Sequence, residues 1–221
     1  MPSILILLTP FVAILDWFAV ATQNKRLELV AKPAVMGLLL AWFWTATGFR
    51  GPTIFFAAGL LFSLAGDVFL MLPKEQFIAG LVSFLIAHLF YILGFTRSLP
   101  HASLPVFILA ALVTLTAWQI FSRVRAGLAA AGKKKLILPV LVYTTVISIM
   151  LFTALLTLLN DEWSAGTALL ASAGALLFFL SDGILAWNKF VEPLKNGKLA
   201  VIVTYHAGQV LIALAAASQF G

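Results

Sequence analysis

The sequence predicts an all-α membrane protein with eight transmembrane helices. The chain of 221 residues is 62% hydrophobic and only 10% charged, and its mean hydropathy is +1.08. Apolar runs long enough to cross a bilayer recur along its whole length. Such a composition is typical of polytopic membrane proteins and excludes an ordinary water-soluble domain.

Eight runs have the length of about 20 apolar residues that a transmembrane helix needs. The connections between them are too short for a further folded unit, so residues 1–221 are expected to form a single transmembrane domain. The predicted helices span residues 3–22, 30–47, 53–72, 77–95, 103–121, 136–159, 165–187 and 198–219.

Helices 1 and 2 carry charged residues near one end. Asp16 lies close to the end of helix 1, where it is expected to reach the membrane interface or a neighbouring lysine. Lys32 and Pro33 are expected to open helix 2, because proline is tolerated in the first turn. Lys32 either extends to the lipid headgroups or points inward and offers its charge to a substrate phosphate.

Helices 3 and 4 contain the first candidate for a functional group. Asp67 interrupts the apolar run SLAGDVFLML, although a charge at membrane depth costs about 2.5 to 3.5 kcal/mol on insertion scales. Residues of this kind usually have a function. His88 and Tyr91 follow on helix 4, where His88 falls near the middle of the bilayer.

Helices 5 and 6 flank the most basic connection of the chain. Arg123, Arg125 and the lysines at 133–135 lie between them. Gly127, Gly132 and the alanines between them are compatible with a longer fifth helix, so the end of helix 5 is the least defined.

Helices 7 and 8 again combine a buried acid with polar residues on the next helix. Asp182 lies in LLFFLSDGILAW, and Tyr205, His206 and Gln209 follow on helix 8. Gln209 lies one turn beyond Tyr205 on the same face. These side chains are expected to face the protein interior, because lipid offers them no hydrogen-bonding partner.

The positive charges predict the orientation of the helices. The seven connections between successive helices are numbered in chain order. Twelve of the 14 Lys and Arg residues, including Lys74, lie in or beside the odd-numbered connections, which are all at one end of the bundle. Only Arg50 and Arg97 lie in even-numbered connections, at the other end. The positive-inside rule then puts the odd-numbered connections in the cytoplasm and both termini outside. We expect a multi-pass protein of the cell (inner) membrane, with both acids in the cytoplasmic half. The net charge of +6 reflects this topology and contact with membrane lipids rather than nucleic-acid binding.

A parallel 4+4 repeat is compatible with the positions of these residues. Asp67 and Asp182 are 115 residues apart, and His88 and His206 are 118 residues apart, on helices of matching orientation. Chance similarity between leucine-rich helices explains the same spacing equally well.

Two buried carboxyl groups at one depth suggest acid-assisted hydrolysis. Burial among Phe62, Leu64 and Phe69 favours the neutral form of an acid, which can then donate a proton. A second carboxylate nearby leaves one acid protonated and the other ionised. Asp67 and Asp182 are therefore the predicted catalytic residues, one as proton donor and the other stabilising positive charge or directing water.

Other chemistries have less support. The chain has no Cys, which excludes disulfides, thiolate ligands and a thiol nucleophile. Its helix-borne histidines and aspartates show no metal-binding spacing such as HExxH, so neither a metal nor a cofactor is expected. The GxSxG elbow of many serine hydrolases is missing as well.

Several groups of residues carry a resemblance to a known family. They are Lys32-Pro33, Ser63-Leu64-Ala65-Gly66-Asp67 with Leu70, Phe77, Gly80-Leu81, Phe84, His88 and Tyr91, Phe179-Leu180-Ser181-Asp182 with Ala186 and Phe190, and Thr204-Tyr205 with Gln209 and Leu211-Ile212. Together they resemble the lysoplasmalogenases, the YhhN-like multi-pass membrane proteins, over nearly the whole chain. The chain departs from the pattern at His206 and Gly208, where the family has Tyr and Ala.

The resemblance implies hydrolysis of the sn-1 vinyl ether bond of a lysoplasmalogen, a lysophospholipid held in the bilayer. The products are a fatty aldehyde and glycerophosphoethanolamine or glycerophosphocholine. One aspartate protonates the β-carbon and water captures the oxocarbenium ion; which aspartate donates is left open. Residues that orient the acids or bind the substrate are expected to be His88, Tyr91, Tyr205, His206 and Gln209 near the acids, and Lys32, Asn188 and Lys189 near the inner surface.

A proton-coupled transporter is the main alternative. Buried Asp and His residues also form proton relays, and parallel repeats occur in carriers. The sequence shows no obvious pair of broken helices with Gly and Pro interruptions, which weighs against transport. Oligomeric state leaves no mark in the sequence.

Overall fold

A computed structural model of the protein describes residues 3–72 and 76–221. Within these residues eight α-helices are long and apolar enough to cross a membrane, which confirms the predicted fold class. Lys74, one of the twelve charges used to predict orientation, lies outside the described residues. The helices are α1 (Ser3–Ala21), α2 (Lys25–Thr47), α3 (Thr53–Met71), α4 (Phe77–Phe95), α5 (Leu104–Ala130), α6 (Ile137–Leu156), α7 (Ala165–Phe190) and α8 (Gly197–Phe220), with short 3₁₀ turns at Lys134–Leu136 and Thr157–Leu159.

The start of α2 differs from the prediction. Asn24 caps the helix by accepting a hydrogen bond from the backbone N–H of Leu27, so α2 begins at Lys25. The prediction that Lys32 and Pro33 open the helix is therefore wrong, because both residues lie well inside it. Pro33 has no N–H to offer the carbonyl of the residue four positions earlier.

Two other helices run past their predicted ends. α5 continues to Ala130 and α7 to Phe190. The apolar run marks only the part of a helix that lipid surrounds, whereas the backbone hydrogen bonds continue through polar residues such as Arg123 and Asn188. Gly127 and the alanines up to Ala130 do extend the fifth helix, whereas Gly132 lies beyond its end.

Sequence neighbours pair as antiparallel hairpins, α1 with α2, α3 with α4, and α7 with α8. α8 also packs against α1, α2 and α3, and half of its apolar window is buried. α5 makes its main contacts with α6 and α7, and only 17% of its window is buried. Among the described helices α8 is thus central and α5 peripheral.

Glycines allow the helices that carry the site to approach closely. A Cβ atom at Gly66, beside Asp67, would lie 2.7 Å from the Phe84 ring. A Cβ atom at Gly208 on α8 would lie 2.9 Å from the carbonyl oxygen of Gly174 on α7. The departure from the family pattern at Gly208 therefore coincides with backbone contact between α7 and α8.

Candidate active site

Asp182 is held by side chains from two other helices. The hydroxyl group of Tyr143 on α6 donates a hydrogen bond to its Oδ2 atom. Nε2 of His88 on α4 lies 3.0 Å from the Tyr143 oxygen and 3.4 Å from Oδ2 of Asp182. Because Tyr143 uses its only proton toward Asp182, the contact with His88 requires a proton on Nε2. Three helices thus converge on one carboxyl group.

Asp67 has a separate set of partners. Nζ of Lys32 lies 3.1 Å from its Oδ1 atom, and the Tyr205 hydroxyl donates to Oδ2 at 2.6 Å. Only 2% of the Asp67 side chain is exposed. Both carboxylate oxygens therefore have partners in the interior, as a buried charge requires.

A third network lies one turn from Asp67. The Tyr91 hydroxyl donates to Oε1 of Gln209 at 2.6 Å, and Nε2 of Gln209 donates to Oγ of Ser63 at 2.9 Å. Ser63 precedes Asp67 by four residues, and Tyr205 precedes Gln209 by four. Two successive turns of α8 therefore bond to two successive turns of α3.

Aromatic rings connect the two aspartate clusters. The Phe178 ring lies 4.7 Å from the ring of His88 and 5.4 Å from that of Tyr205, between centroids. Phe84 packs edge-on against Tyr205 at 5.8 Å. The structure thus places His88 beside Asp182 and Tyr205 beside Asp67, with Tyr91 bonded to Gln209 one turn further along α8.

A largely apolar cavity adjoins only one of the two aspartates. It holds about 720 Å³ of empty space, counting its open mouth, and Asp182 is in its wall whereas Asp67 is not. About 12% of the Asp182 side chain is exposed. The residues that line the cavity are Leu70, Phe77, Leu81, Phe84, Ile120, Val124, Val140, Tyr143, Thr144, Ile147, Phe179, Asp182, Gly183, Leu185, Ala186 and Phe190.

His206 faces α1 and forms a different contact from the other site residues. Nε1–H of Trp17 donates to its Nδ1 atom at 3.2 Å, and its Nε2 atom has no hydrogen-bond partner within the described residues. Asp16 is fully buried nearby, and neither of its oxygens has such a partner there. The charges that act on Asp16 are those of Lys32, Glu28 and Asp67. Asp16 therefore does not reach the membrane interface.

Asn188 and Lys189 lie at the end of α7. Oδ1 of Asn188 accepts a hydrogen bond from the backbone N–H of Leu194 at 2.8 Å, which closes the connection to α8. Nζ of Lys189 lies 4.6 Å from the centre of the Phe77 ring, and Phe77 lines the cavity. Lys189 is thus near the cavity, while Asn188 supports the connection.

Tyr143 is the site residue that sequence reasoning missed. Its hydroxyl group carries no charge and sits in an apolar helix, so nothing in the run around it marks it as unusual. The chain has only three tyrosines, and all three donate hydrogen bonds to site residues. The small number of tyrosines is the feature of the sequence that could have identified Tyr143 as a site residue.

No metal centre is apparent in the part of the chain that the structure describes. Within residues 3–72 and 76–221, no three His, Cys, Asp or Glu side chains group in a way that could hold a metal ion. A carboxyl group in the wall of an apolar cavity, such as that of Asp182, can transfer a proton to a molecule bound there.

Known proteins resemble this chain over most of its length. The sequence profile of the YhhN family matches residues 27–216. Lysoplasmalogenase TMEM86B of Homo sapiens is 32% identical over 202 residues, which cover 91% of this chain and 76% of that protein. A lysoplasmalogenase of Mycobacterium bovis is 32% identical over 188 residues, which cover 81% of this chain and 66% of that protein. A lysoplasmalogenase homolog of Dictyostelium discoideum is 30% identical over 190 residues, which cover 73% of this chain and 62% of that protein. No solved structure matches the chain significantly.

Proposed function

Because the chain belongs to the YhhN family, we propose that it cleaves the sn-1 vinyl ether bond of lysoplasmalogens with an ethanolamine or choline headgroup. Relatives from a mammal and a bacterium are named lysoplasmalogenases, and the chain is a multi-pass membrane hydrolase of this kind. The observation that carries the proposal is an acid, Asp182, in the wall of an apolar intramembrane cavity. These relatives give no support to the transporter alternative.

The reaction adds water across the alkenyl ether. The electron pair of the double bond takes a proton at the β-carbon, and the α-carbon becomes an oxocarbenium ion that water captures. The resulting hemiacetal loses a proton and expels the glycerol oxygen as an alcohol, leaving a fatty aldehyde. The protein must therefore supply a proton and stabilise a transient positive charge.

We assign proton donation to Asp182. It is the aspartate that lines the cavity, so a lipid there can approach its carboxyl group. Tyr143 fixes the orientation of that group through its hydrogen bond. His88 lies 3.4 Å from the same oxygen and 3.0 Å from the Tyr143 oxygen, so it supports the same orientation from a third helix.

Asp67 is suited to stabilise the cation. Lys32 lies 3.1 Å from one of its oxygens and Tyr205 donates to the other, so the carboxyl group keeps one orientation. In a low-dielectric interior a fixed carboxylate acts on a developing cation without direct contact, and the charge of Lys32 beside it reduces the effect. Gln209, held by Tyr91 and Ser63, keeps the adjacent turn of α8 in register with α3.

The headgroup belongs at the end of the bundle that the odd-numbered connections join. Lys189 lies at the edge of the cavity there and is our candidate for binding the phosphate. Lys32 lies against Asp67 in the interior and does not line the cavity, so we assign its charge to that acid and not to the substrate. The positive-inside rule makes this end cytoplasmic.

The test is direct measurement of aldehyde. Purified protein in detergent or liposomes is incubated with lysoplasmenylethanolamine, its choline counterpart and a diacyl phospholipid. We expect aldehyde from the two vinyl ether substrates only, and no loss of rate when a metal chelator is added. Folded protein that releases no aldehyde from either substrate would overturn the proposed function.

A further inference from the structure

We propose that the alkenyl chain of the substrate binds in a groove between α5 and α6, which continues from the cavity beside Asp182. The inference rests on the proposed function, because it assumes a lysolipid whose vinyl ether bond lies at that acid. It adds a chain-binding site and the residues that set chain-length preference.

The groove and the cavity share a wall. Thr144 on α6 lines both of them, and the groove holds about 700 Å³ of empty space, counting its open side. From Thr144 it extends along α6 as far as Phe152 and along α5 from Trp118 to Ala110. Thr144 is therefore the residue that a chain would pass in running from the cavity into the groove.

The direction of the groove fits a lipid of the membrane leaflet next to the odd-numbered connections. α6 starts at those connections and α5 ends there, so both walls run away from that end, toward the interior of the membrane. The step from Thr144 to Phe152 is about 12 Å at the helical rise per residue. The headgroup therefore stays near the surface while the chain points inward.

The surface of the groove suits a hydrocarbon. Its lining is mostly apolar, with Val113 and Ala117 buried at its base. Two of its hydroxyl groups donate to the backbone of their own helix, Thr145 to Leu141 and Ser148 to Thr144. Those hydroxyl groups need no polar partner from a ligand, so the groove presents mainly methyl and methylene groups.

A second groove leaves the cavity on the other side of α5. Ile120 and Gly183 line both spaces, and this groove reaches Trp187 and Glu192 near the connection between α7 and α8. The cavity thus opens toward the membrane surface in one direction and toward its interior in the other. An amphiphile with its scissile bond at Asp182 has room for a headgroup and for a chain on opposite sides.

The experiment fills the groove with larger side chains and varies the length of the substrate's alkenyl chain. Ala110→Phe adds a ring on the α5 wall, and Ala111→Phe, at the neighbouring exposed position outside the groove, is the matched control. Ser148→Leu fills the opposite wall and serves as a second, independent variant. Substrates carry alkenyl chains of about eight or about sixteen carbons, because favourable transfer free energy grows with each buried methylene group.

We expect Ala110→Phe and Ser148→Leu to lower kcat/KM for the long chain by about tenfold, mainly through KM, and to leave the short chain within about twofold. Ala111→Phe should match the wild type with both chains. Equal losses for both chains, or no loss in either groove variant, would overturn the chain-binding site. The groove would then hold only annular lipid.

A binding measurement separates this inference from the proposed function. Saturated alkyl ether lysolipids of both lengths cannot be hydrolysed, and their affinity is measured by calorimetry. If the wild type releases no aldehyde but Ala110→Phe selectively weakens long-chain binding, the activity is wrong and the groove stands. If aldehyde forms but chain-length preference is unchanged in both groove variants, the groove is wrong and the activity stands.

Discussion

Asp182 and Asp67 share a residue type but have different surroundings. Asp182 lines the cavity and accepts a hydrogen bond from Tyr143. Asp67 is buried behind that wall in an ion pair with Lys32. Neutralising each acid should therefore disturb a different property of the protein.

Asp182→Asn keeps the shape of the side chain and removes its proton. We expect kcat to fall by about 100-fold or more, the usual contribution of a general acid, with little change in melting temperature. Asp67→Asn should lower kcat and also the melting temperature, because removing one partner of a buried ion pair costs about 3 to 5 kcal/mol. Aldehyde release and thermal unfolding in detergent measure the two effects.

Asp161→Asn is the control for both variants, since Asp161 is exposed in the connection between α6 and α7. It should behave as the wild type. Near-normal turnover of Asp182→Asn or Asp67→Asn would refute the two-acid mechanism, and an unchanged melting temperature for Asp67→Asn would contradict a stabilising pair with Lys32.

Asp16 is buried like Asp67 but lacks the hydrogen-bond partners that Asp67 has. Neither oxygen has a hydrogen bond within the described residues, and an unsatisfied buried polar group costs about 1 to 3 kcal/mol. Asp16→Leu should therefore raise the melting temperature, whereas Asp67→Leu should lower it. A lower melting temperature for Asp16→Leu would show that Asp16 serves as a second counter-ion for Lys32.

Charge is what made the site residues visible in the sequence. Asp67 and Asp182 stand out because a carboxylate is costly at membrane depth. Tyr143 does not stand out, since its ring is compatible with an apolar helix. The contact of Trp17 with His206 could not be predicted from the sequence either, because it depends on how α1 is rotated against α8.

At the scale of helices, hydropathy predicted all eight spans but not all of their ends. A helix ends where its hydrogen bonds and caps end, as at Asn24 before α2, and the apolar run shows only where lipid surrounds it. Spacing of four residues correctly put Tyr205 and Gln209 on one face of α8. Their partners Asp67 and Ser63 on α3 follow from helix rotation, which spacing alone does not give.

The crossing of α7 and α8 leads to a prediction about Gly208. Gly208→Ala restores the residue of the family pattern, but its Cβ atom would lie 2.9 Å from a backbone oxygen that cannot move alone. We expect a loss of about 1 to 3 kcal/mol in the free energy of unfolding, typical of overpacking. Denaturation in detergent measures it.

Gly37→Ala is the matched control, because a Cβ atom at Gly37 in α2 would meet no atom within 4 Å. It should stabilise the protein by about 0.5 to 1 kcal/mol, since glycine is unfavourable inside a helix. Equal effects of the two substitutions would mean that α7 and α8 separate at little cost.

At the scale of the whole molecule, the orientation in the membrane is open to a simple test. The chain has no cysteine, so single cysteines can be added without removing any. Ala131→Cys lies in the connection between α5 and α6, and His101→Cys in that between α4 and α5; both positions are exposed. A membrane-impermeant maleimide applied to intact cells should label His101→Cys only.

Disrupting the membrane should then make Ala131→Cys reactive as well. The reverse pattern would place the odd-numbered connections outside the cell and with them the end of the bundle near both aspartates. Labelling of both positions in intact cells would indicate mixed orientation and would contradict the charge asymmetry of the loops.

The ion pair between Lys32 and Asp67 has a further consequence for an enzyme that makes aldehydes. A fatty aldehyde forms an imine with a neutral amine, and an imine at Lys32 would replace the ammonium group that pairs with Asp67. An ammonium group bound to a carboxylate at 3.1 Å has no free electron pair for that attack. The same contact that secures the anion should thus lower the reactivity of Lys32 toward the aldehyde that the proposed reaction releases.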